Sequence, residues 1–153
     1  MNETEEASTH YKIAIELKPD FAAAHNNLGN ALSAERKTEK AIYHYKMAIE
    51  LKPGYAEAHN NLGIVLVAEQ KKEEAIYHYK MAIDLKPDFA EAHYHLGNIL
   101  VQTGETKEAV GHYRDALRLK PNFVLAQKNL ERALLLAGKM EKFKIQPRKN
   151  LSD

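Results

Sequence analysis

The sequence repeats itself at intervals of 34 residues, and this period restricts the folds open to the chain more than any other feature. The pair Lys-Pro recurs four times at this spacing, and an aromatic residue stands two positions after each proline. Segments 41–53 (AIYHYKMAIELKP) and 75–87 (AIYHYKMAIDLKP) differ at a single position. A period of this length is typical of solenoid proteins, whose units are too small to bury their apolar faces alone and must stack on one another.

Each unit reads as two helices joined by a turn. Within residues 22–55, apolar side chains keep helical spacing from Ala24 to Leu32 and again from Ala41 to Leu51. The polar run AERKTEK (34–40) between them predicts the turn. Pro53 ends the second helix, because the residue before a proline is pushed out of the helical region.

The recurring residues resemble the tetratricopeptide repeat, a helix–turn–helix unit of the same length. The matching positions of the three full units are Leu28, Gly29, Ala41, Tyr45, Ala48 and Pro53; Leu62, Gly63, Ala75, Tyr79, Ala82 and Pro87; and Leu96, Gly97, Ala109, Tyr113, Ala116 and Pro121. The resemblance implies an all-α fold, an α-solenoid of stacked antiparallel helix–turn–helix repeats that forms a right-handed superhelix. The first helix of each unit would line its concave side.

The pattern carries three further expectations about packing. The repeated glycines are expected to face alanines of neighbouring helices, while the tyrosines fill wider gaps. His25, His59 and His93 stand where the family usually has a large aromatic side chain. Arg36 and Gln70 stand in the turn where the family favours glycine, so slight strain is predicted there.

The units divide the chain into a repeat array over residues 1–138 and a basic, flexible tail over 139–153. The array comprises a partial repeat (5–21), full repeats (22–55, 56–89 and 90–123) and a capping helix (122–138). Glu131 replaces the repeated glycine in the last helix, which suits a helix whose outer face meets water. The chain starts within a repeat, and we expect it to be the C-terminal portion of a longer array.

A helical wheel places a row of mostly amide side chains on the face of the first helices opposite the packing residues. Asparagine offers both donors and acceptors, so such a row can hydrogen-bond the backbone of an extended peptide. The residues predicted to line a peptide-binding groove are Asn26, Asn27, Asn30, Asn60, Asn61, Ile64, Tyr94, His95, Asn98 and Asn129.

The stretch NNLGN (26–30) is similar to the asparagine ladder in the tetratricopeptide superhelix of O-linked N-acetylglucosamine transferases. That resemblance implies rungs at Asn27, Asn61 and Asn129, with His95 interrupting the series. The alternative is that these asparagines are solvated residues copied by repeat duplication.

A groove of the kind that holds acidic chaperone tails is not predicted. Such a clamp needs lysine and arginine to grip carboxylates. Glu91 occupies one of the corresponding positions and would repel a carboxylate, and no cation replaces it.

The residue pattern argues against catalysis and against a metal site. It contains no nucleophile–base pairing, glycine-rich phosphate loop or paired carboxylates. The histidines recur once per unit, so a periodic ladder is expected to spread the rings apart rather than gather them as zinc ligands. We therefore predict no enzyme activity, no cofactor and no metal.

Composition limits the classes of partner and the cellular compartment that are expected for this chain. The formal net charge is +1, with no basic excess to favour nucleic acid or a membrane surface, and the absence of cysteine fits a reducing compartment. The chain is expected to be a cytoplasmic scaffold that holds a protein or peptide partner. Two alternatives stay open: a structural module whose exposed N-terminal helix stacks on another copy, giving a homo-oligomer, and the substrate-recognition segment of a larger glycosyltransferase.

Overall fold

The computed structural model describes the backbone of residues 3–145 and the side chains of residues 5–138. These residues form helices and turns, and the described part of the chain contains no strand, so the all-α prediction is confirmed. The helices are α1 (Glu3–Leu17), α2 (Ala22–Ala34), α3 (Thr38–Leu51), α4 (Ala56–Ala68), α5 (Lys72–Leu85), α6 (Ala90–Thr103), α7 (Thr106–Leu119) and α8 (Val124–Ile145). They group into two compact units, Met1–Ala92 and His93–Asp153.

The turns inside the repeats are tighter than predicted, because α2 ends at Ala34 and α3 already begins at Thr38. The middle of each such turn has positive φ: 59° at Arg36, 61° at Gln70 and 92° at Gly104. This left-handed conformation is unfavourable for a residue with a Cβ atom and unhindered for glycine. The predicted backbone strain therefore lies at Arg36 and Gln70.

The repeated glycines make room for tyrosine rings, and the expectation that they face alanines is wrong. A Cβ atom built on Gly63 would lie 2.6 Å from Cε1 of Tyr79, and Gly29 and Gly97 stand in the same relation to Tyr45 and Tyr113. The tyrosine comes from the second helix of the same repeat and is buried. Glycine is required here because the ring occupies the volume that any larger side chain would fill.

A lysine at the end of each second helix packs over the aromatic residue that follows the proline. The distance from Nζ to the ring centre is 4.6 Å for Lys52 and Tyr55, and 4.9 Å for Lys86 and Phe89. Lys120 and Phe123 repeat the arrangement at 4.9 Å. Cation–π contact of this kind adds modest stability to the connection between repeats.

The last helix, α8, differs from the predicted cap in two ways. It continues to Ile145, past the predicted end at residue 138, because the sequence offers no proline before Pro147. Its surface also exposes apolar side chains, among them Leu135 at 68%. The rest of the predicted tail, residues 146–153, lies outside the described residues. Among the residues searched for a membrane span, no helix combines the length and apolarity that crossing a bilayer requires.

Candidate functional site

The centre of the candidate site in the first unit is Asn30, near the end of α2. Its Oδ1 accepts a hydrogen bond from the Tyr45 hydroxyl on α3 at 2.9 Å and another from Asn61 Nδ2 on α4 at 3.0 Å. Asn61 Nδ2 donates as well to Asn26 Oδ1, at 3.1 Å. Two donors on one oxygen fix the orientation of the Asn30 amide. Its Nδ2 is left as a donor with no acceptor among the described residues.

The second unit repeats this arrangement. Asn98 Oδ1 on α6 accepts from the Tyr113 hydroxyl on α7 at 2.8 Å and from Asn129 Nδ2 on α8 at 2.7 Å. Asn98 and Asn129 stand two repeats after Asn30 and Asn61. At the intervening positions Ile64 and His95 replace the two asparagines, so this amide pair occurs in alternate repeats.

Each oriented amide stands beside a shallow pocket. The Asn30 pocket has a volume of about 320 Å³ and is lined by Asn30, Ser33, Ala34, Tyr45, Asn61, Ile64 and Val65. The Asn98 pocket has a volume of about 310 Å³ and is lined by the corresponding residues Asn98, Val101, Gln102, Tyr113, Asn129, Arg132 and Ala133, together with Leu136. The main difference is electrostatic: Ile64 leaves the first pocket uncharged, whereas Arg132 places a cation in the second.

The tyrosine hydroxyls in these pockets remain protonated near neutral pH. Burial raises the pKa of Tyr45 to about 12, and burial likewise raises the pKa of Tyr113 to about 12. A neutral hydroxyl is a hydrogen-bond donor, so each tyrosine keeps holding the oxygen of its asparagine.

The predicted groove residues occupy unequal environments. Asn26 and Asn60 are buried, only 4% and 5% exposed, although the helical wheel grouped them with the open face. The buried Asn60 Oδ1 has no hydrogen-bond partner among the described residues. The more accessible residues are Asn27, Asn30, Asn61, Ile64, Tyr94, His95, Asn98 and Asn129.

Three tyrosines differ from their predicted roles, because Tyr94 makes packing contacts and the hydroxyls of Tyr45 and Tyr113 make polar ones. The ring centre of Tyr94 lies 4.7 Å from that of Phe123, and 6.3 Å from that of Tyr113. The hydroxyls of Tyr45 and Tyr113 belong to the site, although the sequence pattern identified these tyrosines only as core residues. The signal that would have found them is the constant interval from Asn30 to Tyr45 and from Asn98 to Tyr113.

The histidines meet in pairs, which contradicts the expectation that the ladder spreads their rings apart. The rings on the first helices lie one repeat apart, and so do the rings on the second helices. Each first-helix ring, however, contacts the second-helix ring of its own repeat. The Nδ1 atoms are 3.0 Å apart in His25–His44, 2.9 Å in His59–His78 and 3.1 Å in His93–His112. Burial, followed by repulsion from His59, lowers the pKa of His78 to about 4, and burial lowers the pKa values of His44 and His59.

Family profiles match most of the chain. A profile described as TPR repeat matches residues 1–35 and 65–104, and two described as Tetratricopeptide repeat match residues 22–55 and 90–123. A profile for the Est1 DNA/RNA binding domain matches residues 41–80. No curated protein matches the chain significantly.

Solved structures resemble the chain over most of its length. YrrB, described as a TPR protein with an unusual peptide-binding site, superposes with a TM-score of 0.80 at 26% identity, over 89% of this chain and 70% of YrrB. A MamA structure superposes with a TM-score of 0.79 at 26% identity, over 92% of this chain and 76% of MamA. The first TPR of Spaghetti (RPAP3), bound to the HSP90 peptide SRMEEVD, gives 0.74 at 20% identity, over 76% of this chain and 93% of Spaghetti's, a likeness of fold alone.

Proposed function

We propose that this chain, which belongs to the tetratricopeptide-repeat family, is an interaction scaffold whose two units each bind an extended segment of a partner protein along their first helices. The Asn30 and Asn98 pockets are the contact points. The observation that carries the proposal is the oriented amide, which occurs in equivalent form beside both pockets.

An extended peptide presents the groups that these amides bind. Its backbone carbonyls are not satisfied within the peptide, and each accepts a hydrogen bond from a side-chain amide without regard to sequence. The amide is held in place before binding, so ordering it costs little when a peptide arrives. Asn27 supplements the contact, since its Oδ1 accepts only a long hydrogen bond of 3.4 Å from Asn26.

The pockets set the side-chain preference of the bound segment. The Asn30 pocket, with Ile64 and Val65 in its wall, suits a small uncharged side chain. The Asn98 pocket, with Arg132, suits a side chain that is acidic or accepts hydrogen bonds. An array of carboxylates is not the expected ligand, because the first pocket supplies no cation and Glu91 lies on the same helix as Asn98.

Two other readings have less support. End-to-end stacking in the register of the repeats would bring Tyr11 of a second copy against α8, where Glu131 replaces the glycine that accommodates the ring elsewhere. The match to the Est1 profile raises nucleic-acid binding, but the chain lacks the excess of basic residues that binding to a phosphate backbone requires.

A glycosyltransferase context, in which the asparagines contact substrate peptides, is compatible with the same pockets.

The test selects ligands from a library of displayed random peptides and measures the affinity of a selected, dye-labelled peptide by fluorescence polarisation. Replacing Asn30 or Asn98 with alanine should weaken binding on the order of tenfold, the value of one hydrogen bond in a partly desolvated site. The matched control is Lys46→Ala, an exposed residue on the second helix α3, which should leave affinity unchanged.

The variant Tyr45→Phe separates positioning from direct contact. It removes only the hydroxyl that holds Asn30 Oδ1, so we expect a smaller loss of affinity than for Asn30→Ala. Selected peptides that bind the Asn30→Ala/Asn98→Ala double variant as well as the parent would refute the assigned site. Saturable binding of a single-stranded oligonucleotide at physiological salt, with no peptide selected, would refute the function.

A further inference from the structure

A cluster of metal-ligating side chains lies between α6 and α7, away from the amide pockets. It consists of His93, His112 and Asp115, whose nearest ligand atoms all lie within 4.8 Å of one another. His93 is 6% exposed, whereas His112 and Asp115 are partly open to solvent. Ligands from two helices therefore converge at a point that is closed on one side and reachable from the other.

The separation of the two histidine nitrogens suits a tetrahedral ion, and the Asp115 carboxylate lies within 4.8 Å of them. The Nδ1 atoms of His93 and His112 are 3.1 Å apart. Zinc held at its usual distance of about 2.0–2.1 Å by two imidazole nitrogens separates them by about 3.4 Å, so the pair needs to open by only a few tenths of an ångström. A hydrogen bond joins the two Nδ1 atoms at present, and the ion would replace its proton.

The third repeat differs from the other two in the residue beside this pair. His25–His44 and His59–His78 have the same short Nδ1 separation, but Met47 and Met81 occupy the position of Asp115. Only the third pair adds a carboxylate, the ligand that completes a His₂Asp set with one position left for water. The first two repeats thus serve as a comparison for the third, because all three have the same histidine pair and only the third repeat adds a carboxylate beside it.

A second carboxylate is placed to orient one of the imidazoles. Glu108 Oε1 lies 3.9 Å from Nε2 of His112, one helical turn earlier on α7. This separation is longer than a hydrogen bond, and after a small movement the carboxylate can accept the Nε2 proton, which directs Nδ1 toward a metal and raises its basicity. Asp115 is at present paired with Arg118 at 3.1 Å, an exposed ion pair that contributes little and is readily exchanged for a metal.

We infer that His93, His112 and Asp115 form a binding site for one divalent ion of the zinc class. His93 and His112 coordinate through Nδ1, Asp115 through a carboxylate oxygen, and water fills the fourth position. On binding, the proton shared by the two Nδ1 atoms moves to an Nε2 atom or to solvent. The bound ion cross-links α6 to α7.

The test is isothermal titration calorimetry of the untagged full chain with zinc chloride, together with the absorption spectrum of the cobalt(II) complex. We expect one ion per chain and the intense visible bands of tetrahedral cobalt. Asp115→Met, which copies the other repeats, should weaken binding at least about tenfold, by comparison with the loss of orienting groups around known sites. Arg118→Ala should strengthen binding, because it frees Asp115.

The converse variant makes the test sharper. Met81→Asp gives the second repeat the same ligand set, and the stoichiometry should rise from one ion to two. Circular dichroism of each variant confirms that it is folded. Absence of saturable zinc binding at millimolar concentration, or affinity that is unchanged in Asp115→Met, would overturn the assignment.

Discussion

Replacement of Gly63 by alanine should destabilise the protein although it improves the helix propensity of α4. A Cβ atom at this position would lie 2.6 Å from Cε1 and 2.9 Å from Cδ1 of Tyr79, distances that real structures do not tolerate. Tyr79 is only 2% exposed, so its ring cannot move aside into solvent. The clash should cost about 1–3 kcal/mol, from which about 1 kcal/mol is recovered because alanine is the better helix former.

Gly111 provides the matched control. It lies inside α7, is exposed, and a Cβ atom built on it meets nothing within 4 Å. Gly111→Ala should therefore stabilise by about 0.5–1 kcal/mol. The two substitutions are chemically identical, so the difference between them, about 1–3 kcal/mol, isolates the contact with the ring.

The assay is urea unfolding followed by circular dichroism, with the free energy of unfolding taken from the transition. A second background gives an independent check: in Tyr79→Leu the ring is gone, and adding Gly63→Ala there should be neutral or stabilising. If Gly63→Ala stabilises the parent as much as Gly111→Ala does, the reasoning that glycine is present to admit the tyrosine is refuted.

Two further predictions concern the turns and the histidine pairs. Gln70→Gly should raise the free energy of unfolding by about 1 kcal/mol, because glycine adopts the positive φ at this position without strain. The control Lys71→Gly, at φ −88°, should lower the free energy of unfolding. Equal effects of the two variants in urea unfolding would contradict this. Burial keeps the folded pKa of His78 near 4 and also lowers the pKa values of His44 and His59. The contribution of these three histidines to stability is therefore complete above the unfolded pKa of about 6.5 and decreases below it, because at these sites the unfolded chain takes up protons first. For His78 the decrease continues to about pH 4. His78 alone accounts for a loss of stability on the order of 1–2 kcal/mol after allowance for its partial exposure. His78→Asn should therefore flatten the pH profile of the melting temperature measured from pH 7 to pH 5. An unchanged slope would contradict this.

The order and boundaries of the helices follow from local signals. Apolar spacing, the turn between helices and the Lys-Pro pairs act within a few residues, and the helices begin and end within a few residues of the predicted places. The resemblance to the repeat family marks a turn position that favours glycine, and Arg36 and Gln70 have positive φ at that position. The end of α8 was placed too early because Gly138 alone does not stop a helix.

Sequence alone determined that this chain is a stack of helical hairpins with asparagines and histidines at fixed places, because a period read along the chain specifies each residue's position within its unit. Only the tertiary structure decided which of these residues meet. Asn30 contacts Asn61, His93 contacts His112 and Gly63 contacts Tyr79 because of the rotation and close approach of packed helices. Those quantities depend on how side chains of different helices share one volume, and a linear period does not contain them.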